Sequence, residues 1–482
     1  MANAPHLRSS SPVAGLGRAR LTFVQVLAQS ISAVAPSAVM VTVPALVVSH
    51  AGHATIAVFA AAALLMSLVG YCVGQFAHRM VAVSGLYGYV VKGLGPVPGF
   101  GSGWSLTIGY AAAAMASILG SASYSTALLG RLGLPSGEVT IAVMAGLIGV
   151  VALGLMIRGV RFSTRITLAV EVVAIVLATT VLVVVLVQAL GGPPTGPEPP
   201  SNESSQVGFA LLLAITSFVG FESAGTVARE ARNPLTAVPR AIKWTPLAVG
   251  CLYIGAAAAQ LPAPIEQSDT LGIVLSLQDP SGASVILSVL MEIGITASWF
   301  ACVLGSTTAL SRTLFAMGRE GVAPEALGRT HARFHTPHVA LLVAMPVIVA
   351  VPVVYQFRTE STRDVLIGLL TLSAHGYVIA YILVCVATPL FLRRIGESTP
   401  MPAIIAVAAA SLLTALVVWA ALSRAYIAGV VTVIYLGLMI IGFGVLVVRT
   451  RFGSGVLDRV GVYDETIADD LLDDYRPWEV RK

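Results

Sequence analysis

A carboxylate inside an apolar, membrane-like segment is the first candidate for chemistry in this sequence. Residues 215–242 begin as an apolar run, pass Gly220 and Glu222, and end in a cluster of charged residues. A charge at the centre of a bilayer costs about 2.5–3.5 kcal/mol on insertion scales, so such residues usually mark a pathway or a site. The adjacent glycine favours a broken helix that lines a cavity.

A second polar interruption lies in residues 30–38, SISAVAPSA, where Pro36 removes a backbone donor and frees a carbonyl. If the chain unwinds here, exposed amides would attract a carboxylate and freed carbonyls would attract an ammonium group. Together they would suit a zwitterionic α-amino acid. The alternative is a proline kink healed by serine hydroxyls. The backbone groups concerned are those of Ser37 and Ala38 for the carboxylate, and those of Ala33 and Val34 for the ammonium.

Three titratable side chains are candidates for carrying a coupling proton: Glu222, Glu171 and His375. The two carboxylates lie at similar depth in their segments and could share protons. The alternative is that each one pairs with an arginine of a nearby loop. His375 lies in the polar stretch 371–381, where a histidine can titrate near neutral pH or remain neutral and hydrogen-bonded between helices.

The composition places these residues in a membrane protein. Over 482 residues, 56% are hydrophobic and 11% are charged, with a mean hydropathy of +0.88. Soluble domains carry about 25% charged residues. The net charge of +5 does not indicate nucleic-acid binding here, because basic residues of membrane proteins collect in cytoplasmic loops. The four cysteines show no metal-ligand spacing, and we expect neither a metal nor a cofactor.

One membrane crossing needs about 20 apolar residues, and by that measure the sequence predicts about twelve helices in an all-α membrane protein. With both termini in the cytoplasm, about 24 of the 28 lysines and arginines fall on the inner side. The predicted location is the plasma membrane, with cytoplasmic segments at 1–20 and, as an acidic tail, at 451–482. The predicted helices are 21–48, 54–80, 97–129, 138–157, 164–190, 207–230, 240–261, 284–317, 338–356, 364–392, 402–422 and 425–448.

The two interruptions fall in the first and sixth predicted helices, which run in opposite directions across the membrane. This arrangement is typical of two inverted five-helix repeats with the site at their interface. The predicted transporter domain spans 21–450. Its repeats cover about 21–190 and 207–392, and two extra helices follow at about 402–448.

Three motifs resemble those of the amino acid–polyamine–organocation (APC) permease superfamily. They are FVGFESAGTVAREARNPLTAVPRAI (218–242), VSGLYGYVVKGLGPVPGFGSGW (83–104) and SRTLFAMGREGVAPEALGRTH (311–331). The resemblance implies the leucine-transporter-like fold and alternating-access transport of amino acids or related amines. It also implies substrate contacts from helices 1, 3, 6 and 8, at Ser37, Ala38, Tyr110, Phe218, Val219, Gly220, Phe221 and Ser306.

We therefore expect a secondary active transporter of an amino acid or related amine, coupled to protons and embedded in lipid. One alternative is an antiporter that exchanges an amino acid for its decarboxylated amine. Another is a transporter-like nutrient sensor that signals through the acidic tail. The sequence shows no nucleophile–base arrangement and no nucleotide-binding glycine loop, so an enzyme is not expected.

Overall fold

A computed structural model of the chain describes residues 21–191, 207–262, 282–359, 361–422, 426–453 and 455–461. Within these ranges the chain is helical, apart from turns and an isolated parallel bridge between Leu21 and Ala231. The predicted segment 1–20 and the tail from residue 462 onward lie outside the described residues. The α-helices are α1 Phe23–Val34, α2 Pro36–Ala51, α3 Thr55–Ala77, α4 Leu86–Leu94, α5 Pro96–Arg131, α6 Glu138–Arg158, α7 Val160–Gly191, α8 Val207–Thr216, α9 Pro234–Gln260, α10 Gly282–Glu320, α11 His338–Thr359, α12 Thr362–Arg394, α13 Pro400–Leu422, α14 Tyr426–Phe452 and α15 Val456–Arg459.

Eleven helical segments among the described residues are long and apolar enough to cross a membrane. The first of them, Phe23–Ala77, is 55 residues long and contains α1, α2 and α3. One crossing needs about 20 residues, so this segment is long enough for two. The prediction of a multi-pass helical membrane protein is confirmed, whereas the count of twelve helices stays a prediction.

The first break separates α1 from α2 at Ala35, within the predicted interruption. Ala35 has φ 52° and ψ 58°, a left-handed conformation that residues with a Cβ rarely adopt. Pro36, at the first position of α2, disfavours the right-handed helical conformation in the residue before it. Proline is well tolerated at a helix start, because the amide hydrogen that it lacks would have no hydrogen-bond acceptor within the helix. The proline therefore ends one helix and begins the next.

The second break follows α8, where the chain turns at Ser217–Gly220 and continues as a segment of 3₁₀ geometry, Phe221–Glu230. We call Phe221–Glu230 the 3₁₀ segment. Gly220 has φ 103°, a conformation that only glycine adopts readily. A Cβ at Gly220 would also lie 2.9 Å from the carbonyl carbon and oxygen of Ala33. The glycine is thus required for its conformation and for the close contact with α1.

Hydrogen bonds join the two broken helices to each other and to α10. The Ser30 hydroxyl donates to the Phe221 carbonyl at 2.5 Å, and the Ser223 hydroxyl donates to the Gln29 carbonyl at 3.3 Å. The Gln29 side-chain amide donates to the Gly305 carbonyl of α10 at 3.0 Å. These bonds connect α1 to the 3₁₀ segment and to α10 next to the two breaks.

The long helices α5, α10 and α12 form the centre of the bundle, with α5 packed against both of the others. Helix α10 also packs against α1, α2 and α7, while α12 packs against α4 and α8. These contacts position side chains from α5, α7, α10 and α12 next to the breaks. The bounds of the two predicted repeats and of the 21–450 domain stay predictions.

Candidate functional site

Glu222 lies just beyond the second break and is fully buried. Its Oε1 accepts a hydrogen bond from the Tyr110 hydroxyl of α5 at 2.9 Å, and its Oε2 accepts one from the Tyr381 hydroxyl of α12 at 2.6 Å. The Gly220 amide donates to Oε2 at 3.2 Å. Burying a carboxylate is costly unless donors replace the lost water, and these three groups supply that replacement.

The sequence left two roles open for Glu222, a proton carrier or a partner of a nearby loop arginine. In the structure its hydrogen bonds come from two tyrosines and a backbone amide. An ion pair of the same 3₁₀ segment joins its last residue, Glu230, to Arg312 of α10. The observed partners of Glu222 therefore do not support the arginine-pairing alternative.

Aromatic rings surround this carboxylate. Tyr110 and Tyr377 meet edge to face, with ring centroids 5.2 Å apart, and Tyr377 lies 6.0 Å from Tyr381. Phe221 lies 5.7 Å from Tyr381. We call Tyr110, Phe221, Tyr377 and Tyr381 the aromatic cluster. A carboxylate combined with the faces of tyrosine rings is an environment that favours an organic cation.

His375, the third candidate for a coupling proton, lies outside this cluster. Its Nδ1 is 2.8 Å from the Thr371 carbonyl, and its Nε2 is 2.9 Å from the Thr432 hydroxyl of α14. It thus bridges two helices with both ring nitrogens satisfied, as in the alternative of a neutral, hydrogen-bonded histidine. The polar stretch 371–381 therefore divides, with His375 directed to α14 while Tyr377 and Tyr381 join the aromatic cluster.

Glu171 of α7 is also fully buried, and it lies at the first break. Its Oε1 accepts hydrogen bonds at 2.9 Å from the amide of Ser37, the hydroxyl of Ser37 and the hydroxyl of Ser298. Its Oε2 is buried and has no hydrogen-bond partner. The Ala38 amide donates to the Ser298 hydroxyl at 3.2 Å. Both amides expected to receive a substrate carboxylate are thus engaged by side chains of the protein.

The other predicted site residues are buried near the two breaks. Ala33 packs against Gly220 and Gly305, and its carbonyl accepts a hydrogen bond from the Cys302 thiol at 3.2 Å. Val34 is the last residue of α1, and Val219 lies in the turn after α8. Two further predicted site residues are Phe218 and Ser306. The Phe218 ring meets the Tyr253 ring edge to face, with centroids 5.2 Å apart, and the Ser306 hydroxyl lies 3.6 Å from the Cys302 sulfur.

The structure brings Glu222 together with Tyr110, Gly220 and Phe221, and it brings Glu171 together with Ser37 and Ala38. A Cβ built at Gly220 would meet the backbone of Ala33, and the expected close approach of Gly220 to substrate stays a prediction. Sequence reasoning did not assign Ser298 or Tyr381 to the site. The spacing of Tyr377 and Tyr381, one helical turn apart, was the available signal for the aromatic cluster. Among the described residues, no group of three His, Cys, Asp or Glu side chains is placed to hold a metal.

The helical bundle as a whole superposes on solved transporter structures. A manganese transporter from Eremococcus coleocola superposes with a TM-score of 0.56 at 14% identity, covering 93% of this chain and 99% of that chain. At that identity the likeness shows the fold alone. The chain therefore has a leucine-transporter-like membrane transporter fold, as the sequence predicted. A family model described as "Amino acid permease" matches residues 21–446, so the chain belongs to that family.

Curated relatives agree with this assignment at modest identity. The chain is 26% identical over 306 residues to a branched-chain amino acid permease, BcaP, of Bacillus subtilis, with 59% of this chain aligned. It is 26% identical over 309 residues to a methylthioribose transporter of the same organism, with 60% aligned. It is 25% identical over 311 residues to a low-affinity putrescine importer, PlaP, of Escherichia coli, with 61% aligned. The matches span 63%, 64% and 65% of those relatives' lengths.

Proposed function

We propose that the protein is a secondary active transporter that moves an amino acid or related amine across the plasma membrane by alternating access, driven by protons. The observation that carries the proposal is Glu222, a fully buried carboxylate two residues beyond a helix break. It is held by hydroxyls from two other helices, α5 and α12. A buried, titratable group at the junction of separately movable elements is suited to linking protonation to a change of conformation.

The family membership supports transport of a small organic molecule without fixing which one. The relatives' names refer to branched-chain amino acids, methylthioribose and putrescine, which share neither charge nor shape. At about 26% identity, this range leaves an amino acid and an amine both open for this chain. Whether the substrate is an amino acid or an amine must therefore be inferred from the residues of the candidate site.

Protonation of Glu222 would change the hydrogen bonds that hold the 3₁₀ segment. An ionised carboxylate accepts from both tyrosines and from the Gly220 amide. A protonated carboxyl has one O–H donor, so one of its oxygens loses acceptor capacity and the adjacent hydroxyl must turn away. Hydrogen bonds to a charged acceptor contribute about 1.5–3 kcal/mol each, so this loss is enough to shift a two-state equilibrium.

Orientation follows from the distribution of basic residues. With both termini in the cytoplasm, about 24 of the 28 lysines and arginines lie on the inner side, in line with the positive-inside rule. Substrate import with inward proton movement is consistent with that orientation. We include the plasma-membrane location and the cytoplasmic termini in the proposal.

Transport in proteoliposomes tests the proposal and separates it from its alternatives. A thermal-shift screen of amino acids and amines first identifies a ligand, because a bound ligand raises stability by RT ln(1 + [L]/Kd). A proton-coupled importer accumulates that ligand when a pH gradient is imposed. An antiporter requires substrate on the far side, and a sensor binds its ligand without moving it. Binding with no transport in either assay would overturn the proposal.

A further inference from the structure

The first break already contains a carboxylate that belongs to the protein. Helix α2 is 16 residues long, and the amide of its second residue, Ser37, donates to Glu171 Oε1. The start of a helix presents unpaired amides and a partial positive charge, which together favour an anion. Glu171 reaches this position from α7, 134 residues away in sequence.

This is the position at which the sequence predicted the carboxylate of an amino acid substrate. We propose, on the basis of the transport function above, that Glu171 takes the place of the substrate carboxylate, and that the substrate is an organic amine without a carboxylate. The two amides that would hold a free amino acid are not available in this arrangement. Ser37 donates to Glu171, and Ala38 donates to the Ser298 hydroxyl, which itself donates to Glu171.

The remaining oxygen of Glu171 strengthens the inference. Oε2 is buried and has no hydrogen-bond partner, although a buried carboxylate oxygen ordinarily has at least one. An incoming ammonium group would supply that partner and the opposite charge. An incoming carboxylate would instead place a second negative group beside the first, and like charges in such a site cost several kcal/mol.

The charge around the two breaks points the same way. The hydrogen-bonding partners of Glu171 and Glu222 are hydroxyls and backbone amides, all of them neutral. Neither carboxylate therefore accepts a hydrogen bond from a cationic group in the contacts described. The aromatic cluster beside Glu222 presents ring faces, which attract organic cations. A cationic amine matches both features, whereas a zwitterion adds one negative charge for each positive one.

The experiment compares matched pairs that differ by one carboxylate. The pairs are isobutylamine with valine, 1,4-diaminobutane with ornithine, and phenethylamine with phenylalanine. Binding of each compound to the purified full-length protein is measured by calorimetry, and counterflow is measured in proteoliposomes. For a pair in which binding is detected, we expect the amine to bind at least about 100-fold more tightly than its amino acid, since several kcal/mol of repulsion corresponds to that ratio or more.

Glu171→Ala removes the internal carboxylate and frees the Ser37 amide. In this variant we expect the preference to fall at least about tenfold toward the amino acid. Glu397→Ala is the control, because it removes a carboxylate from an exposed ion pair with Arg79 and should leave the preference unchanged. The comparison of wild-type protein with paired ligands stands even if Glu171→Ala does not fold.

The outcomes separate this inference from the transport proposal. If an amino acid binds as tightly as its amine and is transported, the inference is wrong and the transport function stands. If amines bind preferentially but no compound moves, the assignment of the site stands and the transporter proposal is wrong. If none of the three amines binds, the inference is overturned, and the transport proposal is then decided by the ligand that the thermal-shift screen identifies.

Discussion

Replacing Glu222 by glutamine should separate coupling from binding. The amide keeps one acceptor oxygen and the shape of the side chain, but it cannot take up a proton. One carboxylate carries one proton per cycle, so each pH unit across the membrane supplies about 1.36 kcal/mol, or about tenfold accumulation. We expect Glu222→Gln to reduce that accumulation to about onefold while counterflow of bound substrate persists.

The structural cost of this change should be small. Three hydrogen bonds reach Glu222, from Tyr110, Tyr381 and the Gly220 amide. Bonds to a charged acceptor contribute about 1.5–3 kcal/mol each and neutral ones about 0.5–1.5, so the variant loses on the order of 1 kcal/mol per bond. Because glutamine is neutral, the variant avoids the free-energy cost of burying a charge, and this offsets part of the loss. The variant should therefore insert and fold, which size-exclusion profiles of purified protein will check.

The assay compares pH-gradient-driven accumulation with counterflow on matched amounts of folded protein. The selective loss of accumulation is the expected result. Equal losses in both assays, or no loss in either, would refute the coupling role of Glu222. The role would then pass to Glu171 or to His375.

The remaining predictions address the second break, the aromatic cluster and the driving ion. Gly220→Leu should abolish uptake without preventing membrane insertion, because the φ of residue 220 is 103° and an added Cβ would lie 2.9 Å from Ala33 atoms. The matched control is Gly255→Leu, where no atom lies within 4 Å of an added Cβ, and normal uptake by Gly220→Leu would contradict the broken-helix assignment. Tyr381→Phe removes the 2.6 Å bond to Glu222 and should weaken pH-driven accumulation by about tenfold or more. The control is Tyr435→Phe in α14, which removes a hydroxyl that lies 2.7 Å from the Ser105 hydroxyl; unchanged accumulation by Tyr381→Phe would contradict the prediction. Uptake should follow a proton gradient and stop with a protonophore, whereas strict sodium dependence at clamped membrane potential would overturn this assignment.

The positions of the breaks were predictable because their causes are local. Pro36 restricts the residue before it, and Gly220 permits a backbone angle that other residues avoid. Glu222 stood out for the same reason, since a charge in an apolar segment is visible in the sequence alone. The long-range fold followed from motifs that resemble a known superfamily.

The partners of these residues were not predictable, because they come from distant parts of the chain. Glu171 reaches Ser37 across 134 residues, and Tyr381 reaches Glu222 across 159. Which face of α12 turns toward the site is decided by packing against α5 and α14, so His375 and Tyr381 could not be separated by their positions alone. The interaction of Glu171 with the start of α2 therefore became visible only in three dimensions.

The hydrogen bonds between α1, the 3₁₀ segment and α10 have a consequence for motion. Hydrogen bonds from Ser30, Gln29 and Ser223 connect these elements near the breaks of the two interrupted helices. Breaks often serve as hinges, but a hinge fastened to its neighbour cannot bend independently. In the proposed transport cycle the two unwound stretches would travel as one rigid body. Rearrangement would then be concentrated where that body meets α5 and α12, at the hydroxyl contacts with Glu222.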